Sequence, residues 1–231
     1  MKVCLMVLAL SLATLLLVVT ASAQNNDWQN KPYKEWTKKE AQQVLNDSPW
    51  GKTESQSGPV VNFGSGDTPT PEKVYTARLR SSRPIRLALL RLRQIEEKYD
   101  QMNDKKKAEF DEKNKALVEC PACADNYAVS LMPPGPADAR FVSQDKMKLY
   151  VRLLDDKGRS RELIHFNPTK VTGQEIVFFF PRVDEKGEPL LTPSSKKLIF
   201  TIDTSVLGLD ATIRRFEFDV SKMTIDGKVD F

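Results

Sequence analysis

Histidine is almost absent from this 231-residue chain: His165 is the only one. A catalytic triad or a histidine-based metal centre has little to draw on, and no G-x-S-x-G elbow accompanies it. Between Ile164 and Phe166 in a predicted strand, it reads as an ordinary packed or surface side chain. Cysteine is scarce as well, with three residues, and one of them, Cys4, lies at the extreme N-terminus. Phosphate-cradling glycine loops, calcium loops and paired catalytic carboxylates at readable spacing are missing. Charge of neither sign dominates: 35 Lys and Arg stand against 31 Asp and Glu, a net of +4 that demands no polyanionic partner. No period of repeat-protein length emerges.

Only one long apolar run is present, Val3 to Val19, preceded by Lys2 and followed by Ala21-Ser22-Ala23. Charged, apolar and A-x-A segments in that order form the pattern of a cleavable secretory signal, residues 1–23, with export to the periplasm or beyond. An uncleaved anchor is the alternative, since the run sits near the lower limit of about 17 residues for a spanning helix. The flank Gln24-Asn-Asn-Asp has no basic anchor, which favours cleavage. A lipid anchor is disfavoured because Cys4 precedes the apolar run. Cleavage takes 23 residues from 231, leaving 208, and lowers the net charge to +3 by removing Lys2. The predicted mature chain has no membrane span, and it keeps Cys120 and Cys123 as an even pair in an oxidising compartment.

Residues 24–52 carry all three tryptophans, Trp28, Trp36 and Trp50. Thr37-Lys-Lys-Glu40 is a capping box, with Trp36 placed to staple onto Ala41. Ala41, Val44 and Leu45 then make a short apolar face, and Pro49 forces the helix to stop. So short a helix has to dock, and the tryptophans are the obvious docking groups. Residues 53–72, rich in Gly, Ser, Thr and Pro, read as a flexible linker whose larger apolar cluster is Val60, Val61 and Phe63.

Residues 73–125 predict a strand over 74–80 and a helical hairpin. Ser82 and Pro84 open the first helix, whose apolar face is Ile85, Ala88, Leu89, Leu92, Ile95 and Tyr99. Leu87 and Leu90 lie off that stripe and suggest a second contact, with the tryptophan segment as its partner. A charged second helix spans about 104–119, with Phe110, Leu117 and Val118 inward. From 126 to 231 the apolar period becomes two, with strands at 127–131, 148–154, 162–166, 175–183, 197–203 and 213–220. Asp155-Asp-Lys-Gly158, Asp184-Glu-Lys-Gly187 and Asp226-Gly227 are turn chemistries that join antiparallel neighbours. The apolar run 176–180 predicts a central strand covered on both faces. The expected fold is α+β: an N-terminal helix and helical hairpin, then an antiparallel β-sandwich of immunoglobulin-like type.

Cys120-Pro-Ala-Cys123 is the sharpest chemical motif. A redox-active pair normally sits at a helix N-terminus, where the dipole acidifies a thiol; this pair follows a helix, whose negative end raises it. No histidine follows Cys123, so the haem-attachment signature is absent, and with His165 the pair supplies three of the four ligands that structural zinc takes. A structural disulfide is the simplest reading, with redox or metal work as the rival. Arg78, Arg80, Arg83, Arg86, Arg91 and Arg93 run without an acid between them. The last four form a helix face that could touch anionic lipid heads weakly, or stand solvated and paired with neighbouring acids. Nucleic acid is not expected as a partner, because export removes the usual one and the aromatics do not interleave with the cations. The three tryptophans could likewise form a ligand platform instead of an internal anchor.

The segments Lys31-Pro-Tyr-Lys-Glu-Trp-Thr-Lys-Lys-Glu-Ala, Leu45-Asn-Asp-Ser-Pro-Trp50 and Cys120-Pro-Ala-Cys-Ala-Asp-Asn-Tyr127 resemble an uncharacterised family of exported bacterial proteins. Phe180-Pro-Arg-Val-Asp and the closing Met223 to Phe231 extend the resemblance over most of the mature chain. It implies an envelope or secreted setting and transfers no catalytic residue. The expected function is a non-enzymatic binding or structural module of the cell envelope, without a cofactor, whose partner is an envelope protein or polymer. Two rivals stand beside it: a thiol-disulfide or metal-linked protein using Cys120 and Cys123, and an enzyme with a site assembled only by the fold.

Overall fold

The computed structural model describes residues 27–56, 72–135, 137, 139–168, 175–225 and 227–231. The predicted signal peptide and the cluster Val60, Val61 and Phe63 lie outside the described residues. The protein is α+β, with four α-helices and antiparallel sheets among the described residues.

The capping box forms as its spacing requires. In helix α1 (Lys38–Asn46) the Glu40 amide donates to Thr37 Oγ1 at 3.2 Å and the Thr37 amide donates to Glu40 Oε2 at 2.8 Å. Lys31 Nζ reaches Glu40 Oε1 at 2.6 Å, and this bond, followed by that from the Thr37 amide, holds the Glu40 carboxyl down at about 2. The other end of α1 is closed by Ser48, whose hydroxyl donates to the Val44 carbonyl at 2.6 Å and accepts the amides of Trp50 and Gly51. Gly51 is needed there, because a Cβ would lie 2.3 Å from the Leu45 carbonyl oxygen. This turn feeds strand β1 (Gly51–Gln56).

Strand β1 pairs with β2 (Lys73–Leu79), and β2 with β3 (Asn126–Met132). Between β2 and β3 the chain makes helices α2 (Arg83–Glu96) and α3 (Asp104–Glu119), the expected hairpin. Helix α4 (Gln144–Tyr150) leads to β4 (Val151–Asp155), and the short β5 (Ser160–Arg161) and β6 (His165–Asn167) follow. Next come β7 (Ile176–Pro181), β8 (Lys197–Asp203) and β9 (Ile213–Asp219). A terminal hairpin joins β10 (Thr224–Ile225) to β11 (Lys228–Val229). The strand orders are β1-β2-β3-β7-β6 and β5-β4-β8-β9. Phe178 and Phe180 of β7 meet Phe200 of β8 at ring separations of 5.5 and 6.3 Å, and Phe200 meets Phe216 of β9 at 6.1 Å. One aromatic layer therefore joins the inner faces of the two sheets.

Several expectations change. The single strand expected at 162–166 is two: β5 pairs with β4 in one sheet, and β6 pairs with β7 in the other. The chain switches sheets at 162–164, which breaks the period. The strand expected from 148 begins at Val151, because Ser143 caps α4 by accepting the Lys146 amide at 3.2 Å. Strand β7 is central, but its faces are unequal: Ile176, Phe178 and Phe180 are buried, while Val177 and Phe179 are half-buried. Helix α2 stops before Tyr99, at a left-handed Lys98, and α3 buries Phe110 and Asn114 while Leu117 and Val118 are only half-buried. Residues 53–56, expected in the linker, belong to β1.

Register fixes the two ends of this pair of sheets. Leu131 faces Ile176, Val151 faces Ile202 and Asp203 faces Ile213. Lys73, at the start of β2, grips Asp210 in the β8–β9 connection at 2.7 Å. The β3–β4 and β8–β9 connections therefore share one end, here the loop end. The opposite, or strapped, end carries the helical hairpin, the tryptophan segment and the last residues of the chain.

Candidate functional site

The residues nominated by the sequence gather at the strapped end, and most are occupied there. Trp28, Trp36 and Trp50 are 1, 4 and 0% exposed. Trp28 meets the other two edge-on, at 5.7 and 6.2 Å between ring centres. Trp36 Nε1 donates to the Trp28 carbonyl at 2.9 Å, and Trp50 Nε1 donates to the Asp230 carbonyl at 2.5 Å. The indoles anchor the N-terminal segment and the chain's last residues to the core; no stacking platform faces solvent. Trp28, Trp36 and Arg83 do line one groove of about 640 Å³, beside Leu87 of α2 and Ile225 of β10. That groove is the second contact of Leu87.

The arginine face is spent internally. Arg86 Nε donates to the Val118 carbonyl at 3.0 Å, and its Nη1 donates to the Ser81 carbonyl. Arg91 Nε donates to the Trp36 carbonyl at 2.8 Å, and Arg93 Nη1 to Asn114 Oδ1 at 2.7 Å. These three tie α2 to α3 and to the tryptophan segment; of the four arginines expected to form an anion patch, Arg83 and Arg93 are exposed. A helical wheel shows which way an arginine points but not which carbonyl waits for it. Arg78 and Arg80 share Glu175: Arg78 also donates to the Leu45 carbonyl, and Arg80 reaches Glu175 Oε2 at 2.7 Å. Burial pulls both guanidinium groups down to about 10.

Cys120 and Cys123 are joined as a disulfide where α3 ends, with Cys120 in the left-handed conformation of a helix cap. Cys123 is buried; its carbonyl accepts Arg182 Nε at 3.0 Å, and Arg182 lies over the Tyr127 ring. The bridge therefore closes the local turn between the end of α3 and the approach to β3. His165 is exposed, stacked on Phe179 at 5.8 Å, and bonded to Asn167 at 2.8 Å. Among the described residues no group of three or more His, Cys, Asp or Glu side chains could hold a metal ion. Among them, too, no helix is long and apolar enough to cross a membrane.

The loop end differs in kind. Phe141, Leu149 and Ile213 are 85, 73 and 71% exposed, the most exposed large apolar side chains among the described residues. Phe141 and Leu149 flank the Ser143 cap on one connection; Ile213 opens β9 on the next. Helix α4 holds its place through Met147, which is fully buried, and packs on β4, β8 and the turn at 204–207. Burying Met147 turns Leu149 outward, since residues two apart on a helix lie about 200° apart. Arg140 stands over the Phe141 ring at 5.4 Å, and Lys146 and Lys148 precede Leu149 in sequence. At the seam between β1 and β9, Arg214 lies over the Tyr75 ring at 4.3 Å and donates to Gln56, which ties the edges of the two sheets together beside this surface.

Sequence reasoning missed this surface. Its signal was only two apolar residues, Phe141 and Leu149, in a polar connection. No family model, curated protein or solved structure matches the chain.

Proposed function

We propose that this protein is an exported, non-enzymatic binding module of the bacterial cell envelope, built on an immunoglobulin-like sandwich that meets its partner through the loop end. The observation that carries the reading is the contrast in exposure: the three tryptophans are buried, whereas Phe141, Leu149 and Ile213 stand in solvent at one end of a rigid frame. Exposed apolar side chains gathered in one place mark interaction sites more often than scattered ones do.

The strand orders support the immunoglobulin-like reading. β2-β3-β7-β6 and β5-β4-β8-β9 correspond to strands A-B-E-D and C′-C-F-G of that sandwich. The helical hairpin is then an insertion between A and B, and β1 an added edge strand. The loops between B and C and between F and G lie at the end that such domains commonly use for recognition. The A-x-A site after the apolar run, the disulfide and the resemblance to exported bacterial proteins support the address.

Site-specific photo-crosslinking in a bacterial host tests the surface. A probe at Phe141 or Leu149 is expected to yield adducts that a probe at Val183, exposed at the strapped end, does not. Equal labelling from both ends, or none from either, overturns the proposal. Fractionation and N-terminal sequencing test the address, with Gln24 expected as the first residue of an exported product.

A further inference from the structure

We propose that the partner of the loop end is a membrane, with Phe141 and Leu149 inserting among the headgroups of anionic lipids and the neighbouring cations pairing with lipid phosphates. The inference rests on the binding reading above and names the partner that the chemistry fits.

Three observations converge. First, the two side chains protrude from an anchored base: Met147 is buried, α4 packs on both β4 and β8, and Leu149 and Phe141 are left 73 and 85% exposed. An interfacial apolar anchor needs this geometry, because a side chain that folded back onto its own domain could not enter lipid. Second, the cations border the apolar groups. Residues 138–152 carry Arg140, Lys146, Lys148 and Arg152 against Asp138 and Asp145, so the connection has a surplus of positive charge. Neither Lys146 nor Lys148 forms an ion pair among the described residues. Third, Arg86, Arg91 and Arg93 of α2 are committed to carbonyls and to Asn114, so the lipid contact expected of that helix has a better seat here. A protein groove would ask for shape on both sides; a headgroup layer asks only for protruding apolar tips ringed by cations.

Vesicle flotation of the purified protein tests this, with phosphatidylglycerol-containing vesicles against pure phosphatidylcholine ones. Binding to the former is expected, with F141S and L149S each lowering the partition coefficient by about tenfold, the loss of a modest buried apolar side chain. K146Q and K148Q should each cost about fivefold. Raised salt should remove the lysine contribution and leave the Phe141 and Leu149 effects in place. Unchanged partitioning of F141S/L149S, or no preference for anionic vesicles, overturns the lipid assignment. If vesicles are not bound while a probe at Phe141 still crosslinks an envelope protein, the binding reading stands and the lipid partner falls. If neither is seen, both fall. Thermal melts of the same variants, expected to match the parent, keep loss of fold from mimicking loss of binding.

Discussion

At the strapped end the chain spends its large side chains on itself, and at the loop end it leaves them to solvent. Three indoles, the Arg86, Arg91 and Arg93 bonds and the tail through Asp230 close the first surface with contacts between segments far apart in sequence, and the disulfide fixes the local turn after α3. The second is held by one buried methionine beneath a seven-residue helix, with Phe141 and Leu149 outside it. The difference teaches that aromatic content alone does not locate a binding surface. Tryptophan was the conspicuous residue of the sequence, and it belongs to the core.

The comparison breaks most readily at the strapped end. W50A removes a fully buried indole and its bond to Asp230, and is expected to cost about 4 kcal/mol in denaturant unfolding. A loss below about 1 kcal/mol would mean that this end is not a core. E175A strands two guanidinium groups, one of them buried, and is expected to cost about 3 kcal/mol, with E175A/R78M recovering part of it. Reducing the disulfide, or C120S/C123S, frees a short loop and should lower stability by about 2 kcal/mol by the chain-entropy relation.

Acid gives a graded version of the same test. Glu40 is held at about 2, below its ordinary 4.5, by Lys31 and the Thr37 amide. Its contribution is therefore complete above about 4.5 and is lost as the pH falls from there toward 2. E40Q should flatten that part of the stability profile, and a profile unchanged by E40Q would remove Glu40 from the strap. The smallest effect belongs to the loop end, where F141S and L149S should shift unfolding free energy by no more than about 0.5 kcal/mol. A larger loss would show that these side chains are structural.

The sequence disclosed what depends on neighbours within a few residues. Thr37 and Glu40 announce their helix start, Pro49 the stop, and the alternation over 197–203 and 213–219 the strands that form there. What stayed hidden depends on distant partners. Leu163 and Ile164 continue an apolar alternation while the backbone leaves one sheet for the other, so β5 and β6 read as one strand. The Arg86 and Arg91 bonds end on main-chain oxygens of Val118 and Trp36, atoms that every residue has and no residue type advertises. Leu149 looks the same in sequence whether α4 turns it inward or outward; only the burial of Met147 decides.

The bond from Trp50 to Asp230 joins residues 180 apart in sequence. Contacts of that span slow folding, because a long loop has to close before the contact forms. The Trp50 bond can form only once the chain as far as Asp230 is available, so it belongs to a late stage of folding. Closure of that bond therefore reports that the tryptophan segment and the terminal hairpin have docked on one another.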